Sequence, residues 1–192
     1  MVVGIGGAYC SGKSTVAGIL VEAGYLEINV DELGHEALSQ CRDQVVAAFG
    51  EAFLRTDGTV DRRALGSRVF ADPDARNRLE AIVHPVMVRT ATEMISAAGN
   101  TPVAMHAALL YHMKLDRLCD MILWVRAPFF ARLRRGLVRD GGNIVRILRI
   151  MWTQRKLGPQ PGNKTADTHS VMNRGNRDAL MTQLRRLRLP GI

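Results

Sequence analysis

Residues 4–15 read Gly-Ile-Gly-Gly-Ala-Tyr-Cys-Ser-Gly-Lys-Ser-Thr, and no other stretch of the 192-residue chain restricts its fold so tightly. The segment from Gly7 to Ser14 fits the spacing G-x-x-x-x-G-K-[ST]. Glycine admits backbone angles that turn successive N–H groups into one concavity, where they can hold the β-phosphate of a nucleotide. Lys13 then brings a point charge to the β/γ oxygens, and the Ser14 hydroxyl offers a ligand to Mg²⁺. A helix beginning near Lys13 adds the positive end of its dipole. The motif needs an apolar strand before it and an amphipathic helix after it. Val2–Ile5 supplies the first, and Ser14–Ala23, apolar at helical spacing and closed by Gly24, supplies the second. Cys10, inside the loop, reads as a small loop residue rather than a nucleophile.

Strand, glycine loop, helix and a second strand at Tyr25–Val30 open an α/β domain with a parallel sheet. Residues 31–98 carry no strand signal. Leu33–Phe53, Asp61–Phe70 and Asp72–Ala98 read as helices, with breaks expected at Asp72–Pro73 and at His84–Pro85. Strands return at Pro102–Met105 and Asp120–Val125. An arginine-rich helix is expected over Phe129–Arg139, a break at Gly141–Gly142, and a helix from Asn143 to about Arg155. A loop at 158–164, a weak strand at Thr168–Met172 and a helix at Arg177–Leu189 complete the chain.

Three scattered cysteines (Cys10, Cys41, Cys119) argue for a reducing cytoplasm and against a disulfide framework. No apolar run is long enough to span a bilayer, and Met1 leads into Val2-Val-Gly-Ile-Gly with no signal-peptide pattern. Charge is uneven: residues 126–192 hold 15 Lys/Arg against 3 Asp/Glu, whereas residues 1–125 hold 11 against 15. A basic C-terminal third points to a polyanion, either nucleotide phosphates or a nucleic acid.

A guanine-reading N-K-x-D is missed by one residue at Asn163-Lys-Thr-Ala-Asp167. The later strands end at His106 and Arg126, not at the acid a motor ATPase uses for Mg²⁺. Asp31 follows the second strand at the carboxyl edge of the sheet, where α/β folds bind ligands. There it can take the proton of an attacking hydroxyl, or cap the helix it precedes. Among Arg132, Arg134, Arg135 and Arg139, the four-residue spacing puts Arg135 and Arg139 on one helical face, suited to the oxygens of a transferring phosphoryl group.

Taken together, Gly6–Thr15, Asp31, the block Asp57-Gly-Thr-Val-Asp-Arg62-Arg-Ala-Leu65, Val69-Phe70, Leu79-Glu80 and His84-Pro85 resemble the dephospho-coenzyme A kinase family. The similarity continues through Leu109-Leu110, Arg135, Arg139-Asp140, Gln154, Ala166-Asp167 and Asn173, nearly the whole chain. The resemblance implies a three-layer P-loop NTPase-type α/β core (1–30 and 99–192), an arginine-rich lid at about 129–155, and a helical coenzyme A- and acceptor-binding insertion at 31–98. It implies ATP-dependent phosphorylation of the ribose 3′-hydroxyl of dephospho-CoA, with Mg²⁺. Carried over, Asp31 is the base, and Lys13, Arg135 and Arg139 assist catalysis. Gly7, Cys10, Ser11, Gly12, Lys13, Ser14, Thr15 and Asn173 bind ATP, while Arg62 and His84 lie on the acceptor's side.

The chain departs from the family pattern at Ala8 and Cys10, where glycines are usual, and at Asn29 and His35. It departs again at His106 and His112, where the family has carboxylates. A kinase for another nucleoside or nucleotide hydroxyl is therefore the rival reading. An ATP- or RNA-binding module using the basic C-terminal third is the third reading, and it is weakened by the shortage of aromatics among residues 126–192.

Overall fold

The central strand of a five-stranded parallel sheet delivers the glycine-rich turn. The computed structural model describes residues 1–156, 158–159 and 166–192. Its strands are β1 (Val2–Gly7), β2 (Leu26–Asn29), β3 (Val103–His106), β4 (Met121–Arg126) and β5 (Asp167–Met172), in the order β2-β3-β1-β4-β5. Every residue of β1 and β3 is buried, as expected of strands covered on both faces. The chain moves from β1 toward β2 and β3 on one side, then crosses to β4 and β5 on the other. The carboxyl end of β1, between β3 and β4, is thus the topological switch point where such sheets bind ligands.

The chain forms two compact units, Met1–Asn29 with Met94–Ile192, and Val30–Glu93. In the first, helix α1 (Lys13–Glu22) buries Val16, Ala17, Ile19 and Leu20. These join Val3, Ile5, Leu123, Val125 and Leu180 and Leu184 of the last helix in one core.

The second unit comprises α2 (Val30–Gln40), α3 (Arg42–Phe49), α4 (Arg62–Ala71) and most of α5 (Pro73–Ala97). The helix expected over Leu33–Phe53 is in fact two. Buried Cys41 interrupts it, its thiol directed to the Ile82 carbonyl (3.7 Å), and Gly50, at φ +88°, closes α3. The break expected at His84–Pro85 does not occur: α5 runs unbroken through Pro85. Pro85 and Ala81, whose carbonyl loses its donor, are both exposed, so water can take the place of the missing hydrogen bond. Asp61 caps α4 by accepting from the amides of Arg63 and Ala64, as a residue preceding a helix should.

Back in the first unit, α6 (Phe129–Arg139) and α7 (Ile144–Thr153) follow β4, and α8 (Arg177–Arg185) follows β5. Ile147 and Met151 of α7 form a small core with Tyr9, flanked by Leu133 and Leu137 of α6. Residues 160–164 of the expected loop lie outside the described residues. No helix among the described residues is long and apolar enough to cross a membrane.

Candidate active site

Past β1 the chain bends back on itself. The Ser11 amide donates to the Ala8 carbonyl (3.1 Å), and Lys13, the first residue of α1, folds its Nζ over the loop to the Gly7 carbonyl (3.0 Å). Gly12 has φ +97°, and a Cβ there would lie 1.9 Å from Asn173 Nδ2, so both backbone angle and space require glycine. Cys10 has φ +56°, a left-handed conformation that glycine adopts without cost and other residues adopt rarely. No side chain caps the N-terminus of α1, which leaves its orphan N–H groups for an anion. Ser14 and Thr15 stand exposed in its first turn, whereas Ser11 Oγ is buried and, among the described residues, lacks a hydrogen-bond partner.

Helix α6 clamps this loop by its carbonyls. Arg132 Nε donates to Tyr9 O (2.8 Å). Arg135 Nη1 donates to Cys10 O (3.2 Å) and Ser11 O (3.3 Å). Burial lowers the pKa of Arg132, because removal from water disfavours a charge. Asn173, just after β5 and 3% exposed, joins the loop to α6. Its Nδ2 donates to Ser11 O (3.0 Å), and its Oδ1 accepts from Arg135 Nη2 (3.2 Å) and the Gly175 amide (3.0 Å).

A cavity of about 610 Å³ opens here, lined by Gly12, Thr15, Phe130, Arg134, Arg135 and Asn173 among others. Its size suits one small ligand. Four guanidiniums, of Arg134, Arg135, Arg174 and Arg177, and a helix N-terminus match phosphates, while Phe130 and Leu180 offer apolar surface to a base. Arg139 is not on this wall. It is exposed, with Nε 3.7 Å from Asp140 Oδ1 and its guanidinium 5.7 Å from the centre of the Tyr9 ring.

Of the residues singled out from sequence, the structure therefore gathers Gly7, Cys10, Ser11, Gly12, Lys13, Ser14, Thr15, Asn173 and Arg135. It adds Arg132 and Arg134, which the arginine cluster had signalled only collectively. It also adds Tyr9, which the motif treats as an arbitrary residue.

Asp31 is the second residue of α2, not the residue before the helix, so it sits in the first turn instead of at the cap. His106 is 6% exposed, and its Nε2 lies 2.8 Å from Glu27 Oε1. In the ladder it pairs with Ile5 and Asn29. His112 is exposed. Within the helical unit, a cavity of about 430 Å³ is lined by His35, Ser39, Arg55, Asp57, Thr59 and Arg62 among others. His84 is half-buried on α5, outside that lining. Among the described residues, no group of three or more His, Cys, Asp or Glu could hold a metal ion.

The profile of the family described as CoaE, dephospho-CoA kinase, matches residues 1–175. A dephospho-CoA kinase of Geobacter sulfurreducens is 41% identical over 147 residues, covering 73% of this chain and 74% of that protein. One from Bacillus licheniformis is 33% identical over 194 residues, 97% of this chain and 94% of that one. A crystal structure from Thermus thermophilus, 30% identical, covers 97% of this chain and 95% of its own with a TM-score of 0.81.

Proposed function

The chain belongs to the dephospho-CoA kinase family, and we propose that it transfers the γ-phosphoryl group of ATP to the ribose 3′-hydroxyl of dephospho-CoA. The observation that carries this reading is the phosphate loop tied by Arg135 and Asn173 to a nucleotide-sized cavity at the switch point of the sheet.

In the proposed mechanism, the loop amides and Lys13 hold the β- and γ-phosphates, and the cavity lined by Phe130 and Leu180 receives the base. Asp31 accepts the proton of the 3′-hydroxyl as its oxygen bonds to the γ-phosphorus; the bond to the β-phosphate oxygen breaks, and ADP leaves with that electron pair. Arg135 and Arg139 offset the charge that spreads over the equatorial oxygens. The exposed Ser14 hydroxyl, directly after Lys13 in the first turn of α1, is the kind of hard oxygen donor that Mg²⁺ takes. When bound with ATP, Mg²⁺ neutralises β- and γ-phosphate charge. The acceptor belongs to the helical unit, with Arg62 lining its cavity and His84 on α5 of the same unit. A reducing cytoplasm is the proposed setting, in keeping with three free cysteines.

The test is mass spectrometry of the product after incubation with ATP, Mg²⁺ and either dephospho-CoA or adenosine. One phosphoryl group added at the 3′-hydroxyl of dephospho-CoA, with adenosine much poorer, is the expected result. Equal turnover of adenosine would mean a kinase for a simpler nucleoside. No product from dephospho-CoA would overturn the substrate. Lys13→Ala, which deletes the charge meeting the β/γ-phosphates, should abolish most ATP binding in calorimetry.

A further inference from the structure

Tyr9 lies inside the phosphate loop yet is 8% exposed, because it faces the lid rather than the nucleotide. It meets the lid at its start, middle and end. Its carbonyl accepts from Arg132 Nε (2.8 Å), its hydroxyl donates to Asp140 Oδ2 (2.6 Å), and its amide donates to Gln154 Oε1 (2.7 Å). The ring packs with Ile147 and Met151 of α7. It also runs so close to Gly136 of α6 that a Cβ there would sit 3.0 Å from it.

Asp140 is the residue on which α6 ends, its amide donating to Gly136 O (2.9 Å). Gly141 and Gly142 follow, both at positive φ and both in open space, and Asn143 caps α7. Two unhindered glycines make a junction that swings easily. The Tyr9–Asp140 hydrogen bond crosses to that junction from the rigid end of β1. Asp140 turns its other oxygen toward Arg139, whose side chain is 71% exposed. The Arg139 guanidinium also lies over the Tyr9 ring.

We propose that Tyr9 is a positioning residue: its hydroxyl fixes Asp140 at the α6–α7 junction, and Asp140 and the Tyr9 ring together aim Arg139 at the phosphoryl group. The proposal rests on the kinase reading for Arg139's target, while the fixing of the junction stands apart from any substrate. Proton donation to a carboxylate also makes the tyrosine harder to ionise; burial and the Asp140 hydrogen bond raise its pKa well above the ordinary value. The hydroxyl therefore keeps the proton it donates at neutral pH.

Tyr9→Phe keeps the ring and removes only the hydroxyl. Expected is a kcat about 10-fold lower with KM for ATP within about twofold, since misplacing a catalytic group costs turnover more than ground-state binding. Asp140→Ala should do the same, and the Tyr9→Phe/Asp140→Ala double variant should be no slower than Asp140→Ala alone. Losses that multiply in the double variant, or wild-type kcat in Tyr9→Phe, would overturn the positioning role. Independently of any acceptor, amide hydrogen exchange over residues 137–153 in the ATP-free protein should speed up about 5-fold in Tyr9→Phe. Unchanged exchange there overturns the fixed junction even if dephospho-CoA proves to be the wrong substrate. Wild-type failure to phosphorylate dephospho-CoA, alongside faster exchange in the variant, would sink the kinase reading and uphold the junction.

Discussion

Asn173→Ala tests the join between the phosphate loop and α6. The side chain makes three hydrogen bonds: to Ser11 O, from the Gly175 amide and from Arg135 Nη2. Two are neutral, about 1 kcal/mol each, and the guanidinium bond is charge-assisted, about 1.5–3 kcal/mol. The sum, about 3.5–5 kcal/mol, is an upper figure, because Asn173 lines the 610 Å³ cavity and water can enter to satisfy part of what is exposed. A loss of about 2–3 kcal/mol remains, or about 5–10 °C in Tm for a chain of this size. ATP affinity should fall about 10-fold, because the Ser11 carbonyl and the Arg135 fork both lose their anchor. Asn173→Asp separates the two sides. It keeps an acceptor for Arg135 and Gly175 but turns an oxygen against Ser11 O and adds negative charge beside the phosphates. Its Tm should therefore fall less than that of the alanine variant, and its ATP affinity more. Differential scanning calorimetry and titration calorimetry read both. An alanine variant melting within about 1 °C of wild type, with ATP affinity within twofold, would refute the reasoning.

Asp31→Asn should lower turnover about 10²-fold while leaving Tm nearly unchanged, since it deletes the proposed base and keeps the shape of the α2 first turn; near-wild-type kcat would remove Asp31 from the mechanism. His106→Asp, which restores the family's carboxylate, would set two like charges together at the Glu27 contact. Its Tm at pH 8 should drop, with Glu27→Gln in the same chain recovering most of the loss; no recovery would mean that the pair is not what holds His106. Amides of Ala64 and Arg63 lower the Asp61 pKa from its usual value, and those of Ala75 and Asp74 do the same for Asp72. Because the folded-state pKa lies below the unfolded one of about 3.9, that stabilisation is complete above it and lost as pH falls through the folded value. Asp61→Asn, which still caps, should flatten acid unfolding below about pH 4; an unchanged acid limb would contradict it.

The sheet, the loop and helix α6 were readable because their signals are local. Buried strands such as Val2–Gly7 are continuous apolar runs, and the helix at Phe129–Arg139 is bounded by Pro128 and the Gly141–Gly142 pair. What escaped depends on solvent or on distant partners. Pro85 reads as a breaker in any local rule, and only its exposure beside Ala81 lets α5 continue. Cys41 has helical neighbours on both sides, and the turn there follows from its contact with Ile82, 41 residues away. Tyr9 was invisible for the same reason: the motif specifies which positions must be glycine, and says nothing of a residue whose partners are at Arg132, Asp140 and Gln154. Asn173 was placed in the site through family resemblance, since nothing in its own neighbourhood marks it.

The departures from the family pattern become intelligible where the fold brings other groups to them. Cys10 occupies a backbone conformation that costs a non-glycine residue about 1–2 kcal/mol. The strain falls on the segment whose carbonyls, from Tyr9 to Ser11, accept from Arg132, Arg135 and Asn173. Several charge-assisted and neutral hydrogen bonds to three successive residues outweigh one unfavourable φ, so the loop keeps its shape without the glycine. At the sheet edge the exchange is one of charge. A carboxylate at position 106 would have set a second negative charge beside Glu27, at a cost in repulsion. A histidine there donates to Glu27 when its Nε2 carries a proton, and forms an ion pair with it when both ring nitrogens do. Glu27 is half-exposed on β2, so negative charge is still present at this edge, carried by a neighbouring strand. The substitutions thus alter which residue holds each charge and each turn, while leaving the loop, Lys13 and the α6 arginines on which the proposed phosphoryl transfer rests.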